Sequence, residues 1–269
     1  MSNPIVQIPL AERPSRHPAA MAARNLICVA SGKGGVGKTW LAVTLSHALA
    51  RLGQRTLLFD GDLGLANVDV QLGLMPDRDL AGVVEGRYKL QDVVLSFRDG
   101  GFDVVAGRSG SASLASLEPE TLLAVRDELL LAAGRYQRVV LDLGAGVDGS
   151  VRTLVEAGGT VIVVSTDEPT SLTDAYAFIK LTTQRNPRTD LRVVVNLASS
   201  SREGERTYGK LLKACEGFLK LSPPLAGIIR RDEKVRDTIR HQVSLLTRHP
   251  MSEAAQDVEA IAARLIGRT

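Results

Sequence analysis

Ser31-Gly32-Lys33-Gly34-Gly35-Val36-Gly37-Lys38-Thr39 is the stretch of sequence that decides the fold. It matches the phosphate-loop pattern G-x-x-x-x-G-K-[ST] at every required position. An apolar run at residues 25–30 precedes it, and leucines at helical spacing between Leu41 and Leu52 follow it. A strand, a glycine-rich turn and a helix in this order are the context in which such a loop binds phosphate. The alternative interpretation, a glycine-rich turn without a ligand, explains less of this context.

The chemistry of this loop predicts a nucleoside triphosphate and Mg²⁺ as ligands. Glycines let backbone N–H groups turn inward toward phosphate oxygens, and the N-terminus of the following helix adds partial positive charge. Lys38 is expected to reach the β- and γ-phosphates, and the Thr39 hydroxyl is expected to ligate Mg²⁺. The predicted nucleotide-binding residues of this stretch are Gly32, Lys33, Gly34, Gly35, Val36, Gly37, Lys38, Thr39 and Trp40.

Acidic residues end two further predicted strands. Asp60 and Asp62 come at the end of the apolar run 55–60, and Asp142 ends the run 138–142. Because parallel strands present their carboxyl ends at the edge where such sheets bind ligands, we expect these carboxylates near the phosphate loop. Asp142 is predicted to hold Mg²⁺ through a coordinated water molecule.

Length and composition suit one α/β domain. The chain has 269 residues, of which 44% are hydrophobic and 23% charged, with a net charge of +3. These values are ordinary for a globular protein and fall short of a dedicated DNA-binding composition. The alternation of strands and helices predicts a single-domain, doubly wound, mostly parallel sheet flanked by helices, over residues 25–269. Residues 1–24 lack an apolar signal segment and are predicted to be a flexible tail, with a partner-binding arm as the alternative.

Lys33 is a second lysine that the general loop pattern does not require. Together with the residues up to Thr39, it resembles the deviant Walker A loop of the MinD/ParA family of ATPases. The resemblance implies ATP and ADP as ligands, and an ATP-dependent homodimer in which Lys33 reaches the nucleotide of the other subunit. It also implies that Asp62 orients the attacking water and that Asp60 supports the magnesium shell. The predicted catalytic residues are therefore Lys33, Lys38 and Asp62, and the predicted metal site comprises Thr39, Asp60 and Asp142.

A second stretch indicates one branch of that family. Residues 167–177, Asp-Glu-Pro-Thr-Ser-Leu-Thr-Asp-Ala-Tyr-Ala, resemble the FlhG/FleN branch, also called YlxH, and so do residues 60–69 and 196–198. The resemblance covers residues 25–249 and implies a bacterial ATPase that regulates flagellar number or placement through flagellar regulatory or assembly proteins. It implies a cytoplasmic protein, and a polar position or a peripheral one at the inner face of the membrane stays open.

The chain departs from the family pattern at two places that bear on the site. After Asp142 the family has a hydroxyl residue, whereas this chain has Leu143, which places the hydrolysis rate in question. The glycine near the γ-phosphate is kept as Gly146. A proline commonly follows the last strand in the family, but Arg230 stands here. Asn196 ends a strand and can both donate and accept, as adenine recognition requires. The predicted contacts at the base end of the nucleotide are Asn196, Arg230 and Asp232.

Two other functions stay open. A basic cluster after the last strand would suit ParA-like, ATP-dependent binding of non-specific DNA through its phosphates. The cluster comprises Arg230, Arg231, Lys234, Arg236 and Arg240. Leu143 instead favours a nucleotide-bound regulatory scaffold with slow or activator-dependent hydrolysis. A membrane surface is a weaker alternative, because Val258 and Ile261 of the last predicted helix, about residues 252–264, should pack on the body of the domain.

Overall fold

The computed structural model describes residues 24–107 and 117–267. The predicted N-terminal tail lies outside the described residues except for Arg24. The strands are β1 (Leu26–Ser31), β2 (Thr56–Gly61), β3 (Val94–Phe97), β4 (Phe102–Val105), β5 (Arg138–Ala145), β6 (Thr160–Ser165), β7 (Asp190–Ala198) and β8 (Leu225–Arg230). Within the described ranges they form one sheet in the order β3-β4-β2-β5-β1-β6-β7-β8. The β3–β4 pair is antiparallel and the other neighbours are parallel.

Helices cover both faces of this sheet. They are α1 (Lys38–Arg51), α2 (Val68–Leu72), α3 (Leu80–Val84), α4 (Pro119–Ala133), α5 (Gly149–Val155), α6 (Pro169–Arg185), α7 (Ser201–Ala214), α8 (Glu233–Arg240), α9 (Leu245–Arg248) and α10 (Glu253–Leu265). A 3₁₀ turn spans Leu90–Val93, and a π-helical turn, Cys215–Leu219, continues α7. Alternate residues of β1 enter two cores: Leu26 and Cys28 pack on one face, and Ile27 and Val29 on the other. A parallel sheet buried on both faces confirms the predicted doubly wound fold.

The last helix packs on the body of the domain. Val258 and Ile261 of α10 are 0% and 1% exposed and belong to the same core as Leu41 of α1. This packing confirms the prediction from the apolar pattern. In the part of the chain that is described, no helix has the length and hydropathy needed to cross a membrane.

A buried histidine joins α1 to the start of α9. His47 is 5% exposed, and its Nδ1 shares a 2.6 Å hydrogen bond with the hydroxyl of Ser244. Burial, and secondarily the charge of Arg51, lowers the pKa of His47 from its usual 6.5 to about 4, against an opposing effect of Asp99. The folded protein therefore holds His47 neutral at a pH where the unfolded chain already binds a proton.

This difference makes stability depend on pH. The stability that neutral His47 supports is present above its unfolded pKa and is lost as the pH falls toward its folded pKa. We expect the wild type to lose about 2 kcal/mol more than His47→Asn between pH 7.5 and pH 5, measured by urea unfolding. Other buried acids titrate in both proteins, so their effects cancel in the comparison. Equal losses in the two proteins would contradict this prediction.

Candidate nucleotide-binding site

The phosphate loop lies between β1 and α1 at the carboxyl edge of the sheet. Gly35 and Gly37 have φ angles of 79° and 91°, a conformation that residues with side chains rarely adopt. Helix α1 begins at Lys38, and no side chain of residues 24–107 or 117–267 caps its N-terminus. The uncapped N–H groups of this helix end are therefore available to an anion in the loop.

Two aspartates lie side by side behind the loop. Asp60 of β2 and Asp142 of β5 are register partners and are 0% and 1% exposed. Burial raises the pKa of Asp142, the charge of Asp60 raises it further, and Thr39 and Lys38 lower it. Burial in turn lowers the pKa of Lys38, while the negative charges of Asp142 and Asp62 oppose this change. The sheet edge thus concentrates charged groups of both signs under the loop.

Asp142 has the properties expected of a metal-holding carboxylate. Neither of its buried oxygens makes a well-formed hydrogen bond within the described residues. An unpaired buried carboxylate is costly unless a cation or a hydrogen-bond donor compensates it. Mg²⁺ prefers oxygen ligands and commonly uses one or two carboxylates together with phosphate oxygens. The residues present therefore fit Mg²⁺, with Asp142 and the nearby Thr39 hydroxyl on the protein side.

Asp60 has a different environment. One of its carboxylate oxygens accepts hydrogen bonds from the backbone N–H groups of Asn67 and Val68, and the other accepts one from Asp62. Burial is the main cause that raises its pKa to about 7, and the hydrogen bonds from Val68 and Asp62 oppose it. Asp60 therefore holds the loop between β2 and α2 in place. A role in the magnesium shell stays a prediction.

A cavity of about 810 Å³ opens in front of the loop. Among the predicted site residues, those that line it are Gly34, Gly35, Gly37, Lys38, Thr39, Trp40 and Asp62. Asp62 sits on the loop after β2, and its Oδ1 accepts a hydrogen bond of 3.2 Å from the N–H of Leu65. Trp40 is 6% exposed, and its indole N–H has no acceptor among the described residues. The cavity thus joins the phosphate loop, the start of α1 and the candidate catalytic carboxylate.

Lys33 makes contacts within its own chain. Its Nζ donates to Oε2 of Glu168 at 2.5 Å and to Oγ1 of Thr170 at 2.9 Å. Both acceptors lie at the start of α6, and the next residue back in the loop, Gly32, packs directly on Asp174 of the same helix. The N-terminal end of α6 therefore supports the first part of the phosphate loop.

The residues predicted for the base end lie outside the cavity wall. Asn196 is 2% exposed and donates from Nδ2 to the carbonyl oxygen of Val36 at 2.8 Å, so it supports the loop from below. Arg230 binds Glu253 and Asp257 of α10 at 2.6 and 2.9 Å. Asp232 accepts the N–H of Lys234 and caps α8. Contact of these residues with adenine stays a prediction.

Gly146 connects the loop after β5 to β1. It has a φ of 91°, and its N–H donates to the carbonyl oxygen of Ser31 at 2.9 Å. This hydrogen bond places Gly146 beside the start of the phosphate loop. That Gly146 lies near the γ-phosphate stays a prediction.

Several cavity residues were not predicted from the sequence. They are Leu63, Gly64, Leu65, Asn67, Val70, Gln71, Gly144, Ala145, Asp148, Ser150, Ile239, Arg240 and Gln242. Those near Asp62 and Asp142 follow predicted strand ends, so proximity in sequence could have found them. Ile239 and Gln242 reach the cavity because Gln242 donates a hydrogen bond to the carbonyl oxygen of Val70, which lies 172 residues away in the sequence. No local sequence pattern predicts this contact.

Comparisons with known proteins agree with this geometry. Residues 27–245 match the model of the CobQ/CobB/MinD/ParA nucleotide binding domain. The chain is 41% identical over 251 residues to the antiactivator FleN of Pseudomonas aeruginosa, covering 93% of this chain and 88% of that protein. It is 29% identical to the flagellum site-determining protein YlxH of Helicobacter pylori, covering 91% and 82%. The MinD cell division protein of Aquifex aeolicus superposes with a TM-score of 0.73 at 27% identity, covering 91% and 98%.

Proposed function

This chain belongs to the CobQ/CobB/MinD/ParA family of nucleotide-binding domains, and from that premise we propose that it is a Mg²⁺-dependent ATPase switch that dimerises with ATP and regulates flagellar number or placement. The observation that carries the nucleotide and Mg²⁺ site of this switch is the buried carboxyl group of Asp142, which has no well-formed hydrogen bond within the described residues and lies beside Thr39 and Lys38 at an open phosphate loop. The similarity to FleN and YlxH over most of each chain supports the flagellar role.

The position of each site residue determines its proposed role. The loop backbone, the uncapped start of α1 and the Lys38 ammonium bind the phosphates of ATP. Thr39 and Asp142 would hold Mg²⁺, which supplies positive charge to the phosphate oxygens. Asp62, in the cavity wall, orients the water that attacks the γ-phosphate. Lys33 leaves Glu168 and contacts the nucleotide of a second copy, so that ATP favours the dimer and hydrolysis returns the monomer.

The regulatory output goes through proteins. We propose that the ATP dimer binds flagellar regulatory or assembly proteins in the cytoplasm, as the name antiactivator suggests for FleN. Against the DNA-binding alternative, Arg230 is held by Glu253 and Asp257, so binding of DNA phosphates would fall to the other four residues of the basic cluster.

Light scattering after size exclusion tests the switch. We expect a dimer with ATP and Mg²⁺, a monomer with ADP, and phosphate release that requires Mg²⁺. Trp40 is the sole tryptophan of the sequence and lines the cavity, so its fluorescence should report nucleotide binding in the same samples. A monomer in both nucleotides would overturn the switch. Unchanged flagellar counts in cells of the source species lacking the protein would overturn the flagellar role alone.

A further inference from the structure

Two neighbouring strand ends fit together through alternating small and large residues. Gly61 of β2 and Leu143 of β5 are register partners. A Cβ added to Gly61 would lie 3.0 Å from the carbonyl oxygen of Asp142 and 3.1 Å from Cδ2 of Leu143. Leu143 is fully buried. The side chain of Leu143 therefore occupies the space that the missing side chain of Gly61 leaves, and the two strand ends are held at a fixed distance.

At the next position of each chain segment, the small residue follows β5 Leu143 and the larger one follows β2 Gly61. Gly144 follows Leu143, and Asp62 follows Gly61. A Cβ added to Gly144 would lie 3.3 Å from Oδ1 of Asp62 and 3.6 Å from its Cγ. The same Oδ1 accepts the N–H of Leu65. The Oδ1 of Asp62 thus accepts the N–H of Leu65 and also lies where any side chain at residue 144 would meet it.

We propose that Gly144 is a positioning residue for Asp62: its lack of a side chain sets where the carboxylate stands in the cavity. The inference rests on the proposed function, in which Asp62 orients the attacking water. Both residues line the same cavity, and the Gly61–Leu143 pair fixes the strand ends that carry them. A carboxylate displaced by a few tenths of an ångström would hold the water out of line with the γ-phosphate.

Gly144→Ala tests the proposal directly. The φ of Gly144 is not positive, so alanine fits the backbone. The added methyl group meets Asp62 most closely, and its other neighbour, Cγ2 of Val151, lies at an ordinary contact distance of 3.6 Å. We expect kcat for ATP to fall about 3- to 10-fold with little change in KM, since a misplacement of about 1 Å can cost about 100-fold in rate and this one is a few tenths of an ångström. Gly144→Val should lower kcat further. Gly209→Ala on α7 is the matched control, because no described residue beyond the neighbouring backbone of α7 has an atom within 4 Å of the added Cβ, and its rate should equal that of the wild type.

The double variant separates positioning from a general structural effect. In the Asp62→Ala background, Gly144→Ala should cause no further loss of rate, whereas independent effects would multiply. Thermal unfolding and Trp40 fluorescence titrations with ADP show whether each variant folds and binds. If Asp62→Ala lowers the rate and Gly144→Ala does not, or if the two losses multiply, the positioning proposal is overturned alone. If Asp62→Ala keeps the full rate, the catalytic role of Asp62 in the proposed function fails, and the positioning proposal fails with it.

Discussion

Asp62→Asn should lower the turnover number for ATP by at least about 100-fold, because water-activating carboxylates contribute factors of this size. Nucleotide affinity should stay near that of the wild type, since Asp62 is not in the phosphate loop and Lys38 remains in place. The expected pattern is a fall in kcat with an unchanged dissociation constant, read from phosphate release and from Trp40 fluorescence. ATP should still produce the dimer, and the dimer should persist because hydrolysis no longer leads to its dissociation.

Asp69→Asn provides the matched control for this variant. Asp69 lies in α2, on the segment that follows Asp62, and does not line the cavity. Its side chain accepts a hydrogen bond from the neighbouring N–H of Val70. We expect near-wild-type turnover from it. Equal losses in the two variants would indicate that the segment has been disturbed and would contradict a specific role for Asp62.

The two aspartates at the end of β2 have different surroundings, which their spacing in the sequence alone could not predict. Asp60 is fully buried and accepts hydrogen bonds from three backbone N–H groups in the following loop and at the start of α2, whereas Asp62 reaches the cavity. Along a strand, residues two apart lie on the same face of the sheet. Asp60 and Asp62 do not, because the strand ends at Gly61 and Asp62 belongs to the loop that follows. The sequence predicted that both aspartates would lie at the carboxyl edge of the sheet. The surroundings of each side chain depend on the geometry of the turn, which the sequence did not predict.

Leu143 illustrates a second limit of prediction from sequence. As a departure from the family pattern, it suggested impaired hydrolysis and a scaffold function. The structure buries its side chain in the core that also contains Leu63 and Leu154, and it does not line the cavity. Whether residue 143 faces the nucleotide or the core depends on the pairing of β5 with β2, which is a tertiary property. Its burial means that the leucine does not intrude into the cavity, while the effect on hydrolysis of losing the hydroxyl group stays a prediction.

Local signals predicted the parts of the site that the backbone itself forms. The loop from Gly32 to Thr39, the helix that starts at Lys38 and the strand that carries Asp142 follow from glycine spacing and apolar runs, which act over a few residues. The predicted end of that strand at Asp142 was wrong, because β5 continues to Ala145. Contacts between distant segments could not be found in this way. Glu168 meets Lys33 across 135 residues and Asn196 meets Val36 across 160, and such pairs are set by the packing of whole elements.

The contact between Lys33 and Glu168 leads to a pair of opposite predictions for the dimer. Lys33→Ala should weaken ATP-dependent dimerisation by at least about 100-fold, because each subunit loses one charge-assisted contact of about 1.5–3 kcal/mol. Glu168→Gln should strengthen it, because Lys33 must break its ion pair before it can reach the second nucleotide. The pair is exposed, with side chains 36% and 61% accessible. Since the ion pair of each subunit is worth no more than about 1 kcal/mol, the gain for the dimer should be no more than about 30-fold.

Dimer dissociation constants should be measured by sedimentation with ATP in the Asp62→Asn background, where hydrolysis does not interfere. Glu156→Gln is the matched control, since Glu156 forms an exposed ion pair of 2.7 Å with Arg185 that lies outside the cavity. Glu168 makes no capping hydrogen bond at the start of α6, so its replacement leaves that helix end intact. A dimer weakened by Glu168→Gln would mean that Glu168 belongs to the interface itself. If Lys33→Ala leaves the dimer dissociation constant unchanged, Lys33 does not contribute to ATP-dependent dimerisation. The dependence on ATP would then have to come from the residues of the cavity wall alone.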